Sequence, residues 1–258
     1  SFDPTLAQRI NDVQAHRGPD EADLYFEPGL MLGHRRLSVI DLATGQQPLF
    51  NADGTVGIVF NGEIYNYRDL TDELKALGYH FRTRSDTEVI VHAWSAWGEA
   101  CVHRLRGMFA FALWDRDRQT LFLARDRMGV KPMHYAWLPD GSFVFGSELK
   151  VLTAHPGFAR DIDPLAVEEY FALGYVADPR TIFLGAKKLG PGESLCIRRG
   201  QPLPEPKQYW DVRFTLDNNI SLEEALELKE LVSYQDGQIV SRTLVQNAAV
   251  SITLFAFD

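Results

Sequence analysis

Asn61, Gly62 and Glu63 close an apolar run, Gly57-Ile58-Val59-Phe60, that suits a buried strand. A side-chain amide beside a backbone N–H with no Cβ in the way offers two donors that can converge on one point. That arrangement stabilises a developing oxyanion. Asn-Gly is also the commonest hairpin turn pair, so the local sequence alone favours a turn. Three other residues shift the balance. Arg36, in Gly33-His34-Arg35-Arg36-Leu37, presents a planar fork matched to a carboxylate, whereas Arg35 reads as a solvated outward residue. Asp86 opens a helix, where an aspartate is usually a cap but can instead hold an ammonium group. Glu63 adds a second acid beside the donors. An arginine for a carboxylate, acids for an amine and amide donors for a carbonyl oxygen describe one ligand: an amino acid with a side-chain amide, glutamine.

These residues need rigid elements to hold them. Leu6, Ile10 and Val13 at helical spacing after Asp3-Pro4 predict a first helix over 5–15. Gly18-Pro19 breaks it, and 29–42 then reads as extended, with Asn51-Ala52-Asp53-Gly54 as a hairpin turn before the Asn61 strand. Residues 67–79 predict an amphipathic helix stopped at Gly78, and Ser85/Asp86 cap a longer one reaching toward Gly107. Two hairpins follow, turning at Asp115–Arg118 and at Pro139-Asp140-Gly141, and a helix starts near Asp163. The Pro-rich stretch from 201 reads as a linker. Strands packed between helices predict an α+β layered domain over 1–200, a linker over 201–228 and a separate β-rich tail over 229–258.

The whole chain narrows the function classes. Its 258 residues, 45% hydrophobic, can bury a full core, and a net charge of -9 repels phosphate backbones, so no nucleic-acid partner is expected. No apolar run reaches the roughly 20 residues that span a bilayer, so no membrane partner is expected. No secretory signal is visible at Ser1-Phe2-Asp3-Pro4. The two cysteines, Cys101 and Cys196, form no CxxC pair, which fits a cytoplasmic protein without a disulfide framework or zinc. Seven scattered histidines make no metal-ligand pattern, and only His16 is expected near the pocket. Leu189-Gly190-Pro191-Gly192 lacks a following Lys-Ser/Thr and reads as a turn rather than a phosphate loop.

Seven ordered motifs then carry a resemblance: HRGPD (16–20), GHRRLSVIDL (33–42), FNGEIYNY (60–67), RSDTEVI (84–90), RGMFAFALWD (106–115), ARDRMGVKP (124–132) and FGSELK (145–150). Together they resemble the class II, N-terminal-nucleophile glutamine amidotransferase domain of glutamine-hydrolysing asparagine synthetases, in particular exosortase-associated amidotransferases. The resemblance implies a four-layer αββα sandwich. It implies that Arg36, with the backbone of Leu37, Ser38, Val39 and Ile40, fixes the glutamine carboxylate. Glu63 and Asp86 would hold its amine, and Asn61 and Gly62 would form the oxyanion hole.

In that family the attacking group is an N-terminal cysteine on a first strand leading into Phe-Asp. Here Phe2-Asp3 matches the strand exit, so the strand and its cysteine are expected to be lacking and glutaminase activity to be low. Cys101 reads as a small core residue and Cys196 as a strand residue. The resemblance also implies an ATP-pyrophosphatase synthetase domain as partner, needing ATP and Mg, neither of which this chain is expected to bind. The sequence is compatible with a homodimer and does not set the oligomeric state. Within 201–228 the resemblance implies a linker and the start of a truncated synthetase region, and from about 229 the tail resembles the opening strands of a cupin protein. The alternatives are a non-catalytic glutamine-binding module and a non-functional fragment.

Overall fold

A computed structural model of the chain describes residues 3–37 and 45–212, with the backbone of two further strands at Val240–Gln246 and Ser251–Ala256. The chain divides into two units, Ser1–Asp211 and Val212–Asp258.

The first unit is built on a six-stranded antiparallel sheet. Its members are β3 (Leu49–Phe50), β4 (Val56–Ile64), β5 (Gly107–Asp115), β6 (Thr120–Arg125), β10 (Glu193–Arg198) and β11 (Lys207–Gln208), ordered β11-β10-β6-β5-β4-β3. Strand side chains alternate between faces, and here both faces are apolar. Ile58, Phe60, Phe109, Phe111, Leu113 and Phe122 enter one core beneath α2 (Tyr67–Ala76) and α3 (Asp86–Trp97). Val59, Ala110, Ala112, Trp114, Leu121 and Leu123 enter the other, against Leu30, Leu32, Met133 and Tyr135. Those partners come from a second β layer. It comprises the hairpin β1 (Glu21–Glu27)–β2 (Leu30–Arg36) and the three strands β7 (His134–Trp137), β8 (Phe143–Gly146) and β9 (Lys187–Lys188). Beyond it, Ile10 of α1 (Pro4–Asp12) and Val151 and Leu152 of α4 (Leu149–Thr153) share a third core with Ala136 and Leu138. Helices, sheet, β layer and helices make an αββα sandwich. A further helix, α5 (Pro164–Leu173), is capped by Asp163, whose carboxylate accepts from Leu165 N–H, and buries only Ala166.

The strand read from Gly57 does not stop at Asn61. β4 continues through Gly62 and Glu63 to Ile64, so Asn61-Gly62 is not a turn. The reason lies on β5, where Gly107 meets the end of β4: a Cβ on Gly107 would lie 2.1 Å from the Glu63 carbonyl oxygen. With no side chain there, the two backbones close the ladder as far as Ile64.

The segment from 201, read as a linker, is packed as far as Trp210. β11 pairs with β10, the Tyr209 hydroxyl donates to the Arg125 carbonyl at 2.6 Å, and Trp210 N–H donates to the Gly192 carbonyl. Proline-rich composition signalled a lack of regular structure and missed the aromatic pair that anchors it. In the second unit, β12 (Val240–Gln246) and β13 (Ser251–Ala256) form an antiparallel hairpin with a register shift between Thr243 and Val245.

Asp126 ties the turn after β6 to the sheet. Its buried carboxylate accepts from the backbone N–H groups of Phe109 (3.2 Å), Met128 (3.1 Å), Val130 (3.0 Å) and Lys131 (2.9 Å). Removing it strands four donors, so Asp126→Ala is expected to cost about 3–5 kcal/mol. Urea unfolding followed by tryptophan fluorescence checks this; a loss below ~1 kcal/mol would show that the turn is held by other means.

Candidate functional site

The sequence-predicted residues meet at a cavity of about 400 Å³, a size suited to a small metabolite, between the two β layers. Arg36, Leu37, Asn61, Gly62, Glu63 and Asp86 all line it. Ser38, Val39 and Ile40 lie outside the described residues.

Each side chain arrives by a local rule. Arg36 ends β2 opposite Glu21, and its buried guanidinium donates to the Glu21 carboxylate at 3.0 Å. Asn61 shares the face of Val59, so its amide projects into the space between the layers. Asp86 follows Ser85, and it is Ser85 that caps α3, accepting from Thr87 N–H. Asp86 is thereby released from the capping role, and its buried carboxylate accepts from Ile64 N–H at 2.9 Å instead. Burial raises the Asp86 pKa, and the neighbouring Glu63 carboxylate raises it further. Two acids share one end of the cavity, which favours an arriving cation there.

The ladder register identifies a special amide. Tyr65 N–H donates to the Arg106 carbonyl at 2.8 Å, so odd-numbered residues of β4 exchange hydrogen bonds with β5. Even-numbered residues point their backbone groups to the other border. There Ile58 meets Leu49 of β3, and Ile64 donates to Asp86. Gly62 lies between, with φ 153° and no partner for its N–H among the described residues. Its Cα faces Met108 and Phe109 so closely that a Cβ would lie 2.1 Å from the Met108 carbonyl oxygen. Only glycine fits.

Two sequence readings of nearby residues are corrected. Arg35 is not a solvated outward residue: its guanidinium pairs with Asp12 and lines the same cavity. His16, expected near the pocket, sits outside the lining and contacts Glu148 at 3.0 Å, while its neighbour Arg17 lines the cavity. Gly18 explains the approach. A Cβ there would lie 2.3 Å from the Arg35 carbonyl, so HRGPD packs directly on the backbone of the arginine strand. Through His16, Glu148 joins FGSELK to HRGPD, and it also takes Lys150 of its own motif at 3.0 Å.

Sequence reasoning assigned no role to His34, Gln47, Lys131, Met133 or Ser147, which also line the cavity. His34, Lys131 and Ser147 lie inside the family-like motifs, a signal available in the sequence. Gln47 had none beyond its position before Pro48. Burial lowers the His34 pKa to about 4, so its imidazole is neutral.

Neither thiol reaches the cavity. Cys101 is buried in the helical core and Cys196 lies on β10, and burial pushes both pKa values up to about 12. A thiol so protonated is a poor nucleophile. Among the described residues no group of three or more His, Cys, Asp or Glu is arranged to hold a metal ion, and no helix is long and apolar enough to cross a membrane.

The profile of the glutamine amidotransferase domain family matches residues 2–210. The chain belongs to this family. Asparagine synthetase [glutamine-hydrolyzing] 3 of Bacillus subtilis is 39% identical over 247 residues, covering 94% of this chain and 39% of the relative. Asparagine synthetase [glutamine-hydrolyzing] 1 of the same organism is 40% identical over 193 residues, covering 75% of this chain and 30% of the relative. The chain thus spans about two fifths or less of the length of these relatives. Among solved structures, glutamine phosphoribosylpyrophosphate amidotransferase from B. subtilis superposes with a TM-score of 0.47 at 23% identity, covering 70% of this chain and 35% of that one.

Proposed function

We propose that this amidotransferase chain binds L-glutamine in the cavity, as the glutaminase part of an asparagine-synthetase-like enzyme. The reading is carried by one observation: Glu63 and Asp86 share the cavity end next to the unpartnered Gly62 N–H. The acids would take the α-ammonium group, Arg36 the α-carboxylate, and Asn61 with Gly62 N–H the side-chain carbonyl oxygen. Hydrolysis would give glutamate and ammonia. A synthetase portion using ATP and Mg would spend the ammonia in amide formation, as the names of the relatives suggest. The exposed apolar residues of α5, Leu165, Tyr170, Phe171 and Leu173, offer such a portion a surface to cover. The free cysteines support a reducing, cytoplasmic setting.

Calorimetry with L-glutamine tests the binding. Arg36→Ala removes charge-assisted hydrogen bonds to the carboxylate and is expected to weaken affinity about 10- to 100-fold. Absence of binding by the parent chain would overturn the assignment. Turnover is a separate matter, since it needs a nucleophile that Cys101 and Cys196 do not provide. Cys101→Ser and Cys196→Ser are therefore expected to leave ammonia release from glutamine unchanged. Loss of ammonia release by either variant in a glutaminase assay would refute this account of the thiols.

A further inference from the structure

The border of β4 that faces away from β5 should be paired along its length by β3, yet β3 spans only Leu49 and Phe50. In that register the next hydrogen-bonding position opposite Phe60 is residue 47, because Leu49 faces Ile58. β3 begins only at Leu49, after Pro48, and the Gln47 backbone does not extend the ladder to Phe60. The side chain of Gln47 takes over. Its Oε1 accepts from Phe60 N–H at 2.6 Å and its Nε2 donates to the Phe60 carbonyl at 3.1 Å. One side-chain amide thus reproduces both bonds that a backbone neighbour would make. His34 Nε2 reaches the same carbonyl from β2 at 3.1 Å. Because a carbonyl only accepts, this nitrogen carries the imidazole proton, which leaves Nδ1 as an unpartnered lone pair.

We propose that Gln47, backed by His34, is a positioning residue for the cavity: it completes the sheet border at Phe60 and so aims the adjacent Asn61 amide and Gly62 N–H at the ligand's carbonyl oxygen. This rests on the glutamine reading above. Along that border the even-numbered amides are then fixed at 58 by β3, at 60 by Gln47 and at 64 by Asp86. The amide left open at Gly62 is held from both sides. A glutamine is required chemically. Glutamate lacks the donor for the Phe60 carbonyl, asparagine is one methylene shorter, and leucine offers neither bond at similar volume.

The test uses the full chain and two probes, L-glutamine and L-norvaline, which has the same α-amino acid head and no amide. The parent is expected to prefer glutamine by about 10-fold, the worth of one good hydrogen bond. Gln47→Leu is expected to shrink that preference to about 2-fold while leaving norvaline affinity unchanged, and Gln47→Glu to fall between. Amide hydrogen exchange supplies an independent arm: Phe60 N–H should be slow in the parent and at least 10-fold faster in Gln47→Leu. A preference retained in the variants, or equal loss for both ligands, would assign Gln47 to the scaffold alone and overturn the proposal. Unchanged Phe60 exchange would overturn it by itself, whether or not the parent binds glutamine. If Gln47→Leu fails to fold, Gln47→Glu decides, since it keeps the shape and an acceptor. A parent that binds neither amino acid defeats the glutamine reading, and the exchange arm still judges the border.

Discussion

Gly62→Ala is expected to abolish glutamine binding and to lower stability by about 2–5 kcal/mol, the combined range for overpacking and for a strained backbone. The added methyl would meet the Met108 carbonyl oxygen at 2.1 Å and the Phe109 Cα at 2.7 Å. Neither can retreat, because Phe109 is held through its own N–H and carbonyl by Asp126. With φ 153°, Gly62 also occupies backbone space that residues with a Cβ rarely adopt. Urea unfolding gives the stability, and calorimetry below the transition gives the binding. A variant that keeps parental stability would show that β4 and β5 can separate here. One that keeps parental affinity would remove Gly62 N–H from the site.

Asp86→Asn is expected to move stability and binding in opposite directions. Burial, with Glu63 adding to it, raises the Asp86 pKa above its ordinary 3.8. For an acid with a raised folded pKa, the folded state binds protons more tightly than the unfolded chain. Ionisation therefore costs stability: the cost is absent below the ordinary value, grows as pH rises, and is complete above the raised value. Asparagine removes the charge and keeps an oxygen for Ile64 N–H, so its Tm at pH 7 should exceed the parent's, with the gap closing toward pH 3–4. Binding should fall about 30- to 1000-fold, since the ammonium loses a desolvated ionic partner. In the parent, glutamine affinity should weaken as pH drops through the raised Asp86 pKa. A lower Tm for Asp86→Asn at pH 7 would contradict the electrostatic account, and unchanged affinity would take the ammonium elsewhere.

The strands and helices around the site were legible because their side chains follow clean periods. Phe109, Phe111 and Leu113 against Ala110, Ala112 and Trp114 alternate between two cores, and both hairpin turns fell where Asp115–Arg118 and Pro139–Gly141 placed them. Asn61-Gly62 was misread as a strand end because turn chemistry and close strand approach call for the same residue. Only Gly107, more than 40 positions later, reveals which applies. Arg35 was misjudged for a similar reason: its partner Asp12 lies on α1, and pairing of that range leaves no local trace. Gln47 was invisible because its work is to imitate backbone, and backbone geometry is not written in side-chain patterns.

The division of labour between Ser85 and Asp86 gives this pocket an unusual latitude for redesign. Since the hydroxyl at 85 secures the first turn of α3, the carboxylate at 86 is left to Ile64 N–H and, on the proposed reading, to the ligand. On that reading, a neutral side chain at 86 that still accepts from Ile64 N–H would retune which head group is welcomed without unravelling the element that carries it.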